Sequence, residues 1–237
     1  MFALAAAGTA QAAVVLGADY EDGTLTSGVP GLAAVKPPAG DAFSVSSRYA
    51  RVGTHSLCTK IADSADYYSD GNHRAETNAL KVAGARFGQG YRFRYRFSVL
   101  IPPEWEDDSR DSIDIIFQFK RTSGKPNGFV AVKGRDVVLR VQERQIVLIK
   151  NYPKGVWLDF DVTARGSSGG DGTMDRKAGP AGSEPAAFSD RGANLAPDFK
   201  PGSGYVKWGL YKPDYAKSNT HNPREIYHDA VIVERLD

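Results

Sequence analysis

Three short segments collect residue types able to hold an anion and move a proton. In His73-Arg74-Ala75-Glu76-Thr77, Arg74 and Glu76 are two apart and project to one side of a strand, where a charge-assisted hydrogen bond would fix the guanidinium. In Ile113–Lys120 the apolar residues Ile113, Ile115, Phe117 and Phe119 alternate with Asp114, Ile116, Gln118 and Lys120, so Gln118 and Lys120 share the face away from the core. In Tyr205–Tyr211 the same period sends Val206, Trp208 and Leu210 inward and leaves Tyr205, Lys207, Gly209 and Tyr211 on one outer surface. If the three strands are neighbours, that surface carries Arg, Glu, Gln, Lys and Tyr, an inventory suited to a negatively charged sugar. A free tyrosine ionises near pH 10, so a tyrosine that works as a base needs cations beside it, and Lys207 and Arg74 are the residues to supply them.

A further strand, Tyr91–Phe97, places four aromatics on one face and Arg92, Arg94 and Arg96 on the other. Like charges aligned on a strand repel, and an anionic ligand would relieve them, so the three arginines are expected to line subsites together with Lys120, Glu76 and Tyr205. His55, His221 and His228 match no such pattern and are read as structural or surface residues.

These segments need a scaffold of strands. The 237 residues include 25 glycines and 13 prolines, and alternating segments recur throughout with turn residues between them and no amphipathic helix. The reading is an all-β single domain over 13–237, a jelly-roll sandwich of two antiparallel sheets with a concave groove. The first strand, after residue 13, and the last, Ile226 onward, are expected to lie together. The Gly-, Ser- and Pro-rich stretch 165–204 reads as a long loop. Residues 1–12 end in Ala10-Gln11-Ala12 and read as the remnant of an export signal, which implies a secreted or periplasmic protein. A net charge of +2 gives no reason to expect nucleic acid, no segment is long enough to span a bilayer, and the single Cys58 excludes an internal disulfide.

In order along the chain, Arg74-Ala75-Glu76, Phe117-Gln118-Phe119-Lys120 and Tyr205-Val206-Lys207-Trp208-Gly209-Leu210-Tyr211 resemble the R-x-E, Q-x-H and Y-x-K-x-G-x-Y strands of jelly-roll polysaccharide lyases, of the glucuronan lyase and heparin lyase I type and more distantly the alginate lyases. The resemblance implies β-elimination from an acidic polysaccharide, glucuronan or a related glucuronate polymer. Lys120 departs from it, standing where many relatives have the histidine of Q-x-H. In the glucuronan lyase branch the resemblance implies that a histidine near the R-x-E strand takes part, a place held here by His73. The expected catalytic set is therefore Tyr211, His73, Gln118, Arg74 and Lys207. Gln118, with Arg74 or Lys207, would neutralise the C6 carboxylate, and Tyr211, alone or with His73, would carry the proton from C5 to O4.

Elimination requires no cofactor. Asp19, Glu21 and Asp229 could share a structural calcium ion, if the two ends of the chain meet. A monomer acting on an acidic polysaccharide is expected. The competing readings are a carbohydrate-binding module without catalysis and, ranked last for want of paired carboxylates on one face, a glycoside hydrolase.

Overall fold

The computed structural model describes residues 12–122, 124–167, 169–193, 195 and 202–237. Residues 1–11, on which most of the export-signal reading falls, lie outside the described residues.

Strands dominate: β1 (Ala13–Ala18), β2 (Ala33–Val35), β3 (Phe43–Ser46), β4 (Ser56–Ile61), β5 (Tyr68–Ser69), β6 (Asn72–Asn78), β7 (Arg92–Leu100), β8 (Asp114–Arg121), β9 (Gly128–Lys133), β10 (Asp136–Val141), β11 (Arg144–Ile149), β12 (Trp157–Arg165), β13 (Thr173–Pro180), β14 (Ala186–Arg191), β15 (Gly204–Lys212) and β16 (Arg224–Arg235). They form two antiparallel sheets. One runs β14-β13-β12-β7-β16-β4-β3 with β1 also on β16, and the other runs β11-β10-β9-β8-β15-β6-β2 with β5 also on β6. The jelly-roll sandwich is therefore as the strand pattern implies, and the first and last strands do pair, from Ala13 opposite Arg235 to Ala18 opposite Val231. Among the described residues no helix is long and apolar enough to cross a membrane.

The core lies between the sheets. Phe97 of β7 stacks on Phe117 of β8 at 4.1 Å between ring centroids and on Phe160 of β12 at 4.7 Å, so one aromatic pile joins the two layers. The indole N–H of Trp208 in β15 donates to the Tyr20 hydroxyl at 2.7 Å, which satisfies the polar atom of a fully buried ring. Cys58 is buried too, and burial pushes its thiol up to about 11.

Two expectations are corrected. The stretch 165–204 is not one long loop: β13 and β14 lie inside it and extend the first sheet beyond β12. Its inward residues on β13 are Met174, Arg176 and Ala178, so glycine, alanine and proline in the sequence hide an ordinary alternation. Strict alternation also fails in β8. The register against β9 shifts between Ile115 and Phe117, a β-bulge, and after it the faces exchange. Asp114 and Ile116 point inward, whereas Ile115 joins Ala131, Val138 and the flanking Ile113, Phe129 and Tyr211 on the other face of the sheet. The bulged Ile116 carbonyl accepts a hydrogen bond from Nε2 of the buried His228 at 2.9 Å, across the sandwich.

Candidate active site

The central strands of the second sheet bring the three motifs into register. Tyr211 lies opposite Arg74, Gly209 opposite Glu76, and Lys207 opposite Gln118 on its other side. Directly opposed residues in an antiparallel ladder share a face, so Arg74, Glu76, Gln118, Lys207 and Tyr211 all project from the outer, groove side. Gly209 is required between them. Its φ is +130°, and a Cβ there would overlap the Ala75 carbonyl oxygen and lie 2.9 Å from the Glu76 Cα. The neighbouring strand can thus approach only a residue without a side chain, which holds Glu76 between Lys207 and Tyr211.

Glu76 is the organiser. It is 1% exposed, and its two oxygens accept hydrogen bonds from Gln118 Nε2 and Lys207 Nζ, groups 2% and 4% exposed. Arg74 lies 3.7 Å from the same carboxylate, and also reaches Asp70 Oδ2 at 3.3 Å and the Asp70 carbonyl at 3.1 Å. Its guanidinium carbon sits 4.3 Å from the centre of the Tyr211 ring. Asn72, one strand position before Arg74 on the same face, donates from Nδ2 to the Tyr211 hydroxyl at 3.3 Å. That contact was missed in the sequence, although Asn72 shares the parity of Arg74 and Glu76. Burial raises the Tyr211 phenol above its ordinary value, Arg74 pulls it back, and Glu76 and Asp70 oppose Arg74.

The end of β15 is braced from behind. Lys212, next to Tyr211 and on the core side, is fully buried and holds Asp108 at 3.2 Å and Asp114 at 3.4 Å, while Arg224 reaches Asp114 at 2.8 Å. Each ammonium and guanidinium there has an acid partner, the condition under which buried charge is tolerated.

Other expected residues are not brought to this point. His73 is one residue from Arg74 and so faces the other way. Its ring packs edge-on against Tyr215 at 4.7 Å and Tyr68 at 5.3 Å, with Asp63 at 3.9 Å. Burial lowers its pKa, with Asp63 and the Ser64 backbone acting in the opposite direction. Lys120 and Tyr205 do share the groove face but lie opposite each other, six residues along β15 from Tyr211. At about 3.3 Å per residue that puts them roughly 20 Å from Tyr211 between Cα positions, whereas Lys120 is only two residues along β8 from Gln118 on the same face. Its Nζ donates to the Gly124 carbonyl, and burial, then Lys207, Arg121 and Arg74, lower its pKa.

Arg92, Arg94 and Arg96 belong to β7 in the opposite sheet, away from the groove. Two of the three are paired within the protein, Arg94 with Asp161 at 2.6 Å and Arg96 with Glu234 at 3.1 Å, both on adjacent strands. Asp19, Glu21 and Asp229 are held by groups of neighbouring loops. The Glu21 carboxylate is occupied by the N–H groups of Thr54 and His55, Asp229 by those of Arg51, Val52 and Ala230, and Asp19 by the Ser27 hydroxyl. Among the described residues no three His, Cys, Asp or Glu side chains converge to hold a metal.

The assembled site is a buried carboxylate that fixes an amide and an ammonium, with a guanidinium over the ring of a tyrosine whose hydroxyl faces a groove. A family model for polysaccharide lyases matches residues 21–232. Among solved structures, the endo-β-1,4-glucuronan lyase of the fungus Trichoderma reesei aligns with a TM-score of 0.69 at 15% identity over 93% of this chain and 95% of that one. The alginate lyase of Klebsiella pneumoniae gives a TM-score of 0.62 at 8% identity over 86% and 95%. A marine alginate lyase of Aplysia kurodai gives 0.60 at 10% identity over 96% and 99%. No curated protein matches the chain. With the family model spanning nearly the whole sandwich, the chain belongs to the polysaccharide lyases and is an enzyme that acts on polysaccharides.

Proposed function

We propose that the substrate is a uronic-acid polymer, β-1,4-glucuronan or a related glucuronate chain, and that Tyr211 cleaves it by β-elimination. The observation that carries this reading is Tyr211, its hydroxyl held by Asn72 and its ring under Arg74, beside the Glu76-anchored Gln118 and Lys207. The likeness to a glucuronan lyase fold supports the choice of polymer.

Elimination asks for three services. Gln118, Arg74 and Lys207 offer hydrogen bonds and positive charge to the C6 carboxylate, which stabilise the negative charge that builds there as the C5 proton leaves. The Tyr211 phenolate accepts that proton. The C5–H electron pair becomes the C4–C5 double bond, the C4–O4 bond breaks, and the proton now on Tyr211 passes to O4. Protons and electrons balance on one side chain, so neither His73 nor a cofactor enters the step. Because one group serves both C5 and O4, the two must lie on the same side of the sugar, as they do in glucuronate. A calcium ion at Asp19, Glu21 and Asp229 would have to displace the N–H and hydroxyl groups that hold them. Export to the periplasm or the medium fits a polymer too large to enter a cell, and fractionating cells that express the full chain tests it.

The direct test incubates the protein with polyglucuronate, alginate, heparin, heparan sulfate and polygalacturonate and follows the ultraviolet absorbance of the 4,5-unsaturated uronate end. Polyglucuronate should give the largest kcat/KM, and Tyr211→Phe should lose about 10²- to 10⁴-fold in kcat with its fold intact. Full activity in that variant would refute the proposal. Binding without absorbance on every polymer would do the same, and would favour a module that binds without cutting.

A further inference from the structure

Beside Tyr211, on the same face, lies a cavity of about 490 Å³ that no motif in the sequence marks. Its floor is apolar: the buried Ile115 and the partly buried Phe129 belong with Tyr211 to a cluster separate from the main core, turned to the groove face by the bulge in β8. Its rim carries Arg121, Lys125 and Arg140. Of these only Arg140 has an acid partner among the described residues, Glu143 at 3.0 Å, itself 94% exposed and therefore weakly held. The Arg121 Nε is buried without a hydrogen-bond partner. The cations of the opposite sheet are different: Arg51, Arg94 and Arg96 each have a carboxylate within 3.1 Å.

A pyranose offers an apolar C–H face and, at its edge, its charged substituents. An apolar floor with a rim of three cations against one carboxylate, the exposed Glu143, is complementary to both at once. We infer that this cavity is the subsite for a second anionic sugar, next to the one that is cleaved, which makes the enzyme, given elimination at Tyr211 as proposed above, selective for chains with acidic groups on consecutive sugars. Lys120, next to Arg121 on β8, adds a further cation on the groove face.

The test compares the wild type with the triple variant Arg121→Gln, Lys125→Gln, Arg140→Gln on three polymers: polyglucuronate, a sulfated heparin-like chain, and hyaluronan, whose uronates alternate with an uncharged sugar. Chains that are not cleaved are compared by Kd. An exposed charge contact is worth about 0.2–1 kcal/mol, so losing three should raise KM for polyglucuronate about ten-fold and change hyaluronan less than two-fold. The rise should fade in high salt, which a packing defect would not do. A rise confined to polyglucuronate identifies the carboxylate, and an equal rise for the sulfated chain extends the site to sulfate. Both support the subsite. Equal changes for polyglucuronate and hyaluronan, or no change for either while Tyr211→Phe is inactive, would overturn the subsite and leave the elimination site standing. An active Tyr211→Phe would overturn both. Unchanged far-ultraviolet circular dichroism and Tm confirm that the triple variant is folded.

Discussion

Replacing Glu76 with glutamine keeps its volume and removes one charge from the centre of the site. In the wild type that carboxylate holds Lys207, which is 4% exposed, and lies 3.7 Å from Arg74. In Glu76→Gln the Lys207 ammonium has lost its counterion in a place water barely reaches, and Asp70, the other acid beside Arg74, is exposed. Breaking a buried pair by removing one partner costs about 3–5 kcal/mol. For a domain of this size 1 kcal/mol corresponds to about 2–4 °C, so Tm should fall by roughly 6–20 °C. Adding Lys207→Met replaces the stranded charge with an apolar chain of similar length and should recover most of the lost stability without recovering activity. Thermal and urea unfolding of the four members of this cycle measure the coupling directly. A Glu76→Gln protein within about 1 kcal/mol of the wild type, with no recovery in the double variant, would refute the view that Glu76 organises the site by charge.

Three further outcomes are expected. Because burial holds the Tyr211 phenol above its ordinary value and the phenolate is the base, kcat/KM should climb with pH into the alkaline range; Arg74→Gln removes the cation that pulls the phenol back and should move the climb still higher. His228 is lowered by burial to about 4, so the unfolded chain binds more protons between about pH 6.5 and 4 and stability falls as pH drops through that window. That lowering is worth about 3 kcal/mol, and His228→Gln should flatten the acid limb of a pH–stability curve. Arg94→Gln, on the sheet away from the groove, should leave KM for every uronan unchanged and cost less than about 1 kcal/mol in urea unfolding; a several-fold rise in KM would return the β7 arginines to the substrate.

The sandwich was legible because alternation is a local property: Val206, Trp208 and Leu210 turn inward as their spacing implies. The groove set Arg74, Glu76, Gln118, Lys207 and Tyr211 was legible for the same reason, each motif being internally in phase. What one strand does not encode is which surface its polar side joins. Arg92, Arg94 and Arg96 have the pattern of a ligand stripe, but the counterions of Arg94 and Arg96, Asp161 and Glu234, sit on strands distant in sequence, and only pairing reveals them. His73 was different, since its odd position beside Arg74 already put it on the opposite face. Within β8 the bulge changes phase mid-strand, so Ile115 and Ile116 exchange the roles that counting assigns, and the cavity floor went unread with them. The bulge carries no glycine or proline to announce it.

The place of β16 has a consequence for how the molecule is made. Strand Arg224–Arg235 lies inside its sheet, between β7 on one side and β4 and β1 on the other. Its neighbours on both flanks precede it by more than a hundred residues and emerge long before it during vectorial synthesis. Until it pairs, the sheet is two separate pieces with open edges, and weakening that one strand would split the fold down the middle instead of trimming its margin.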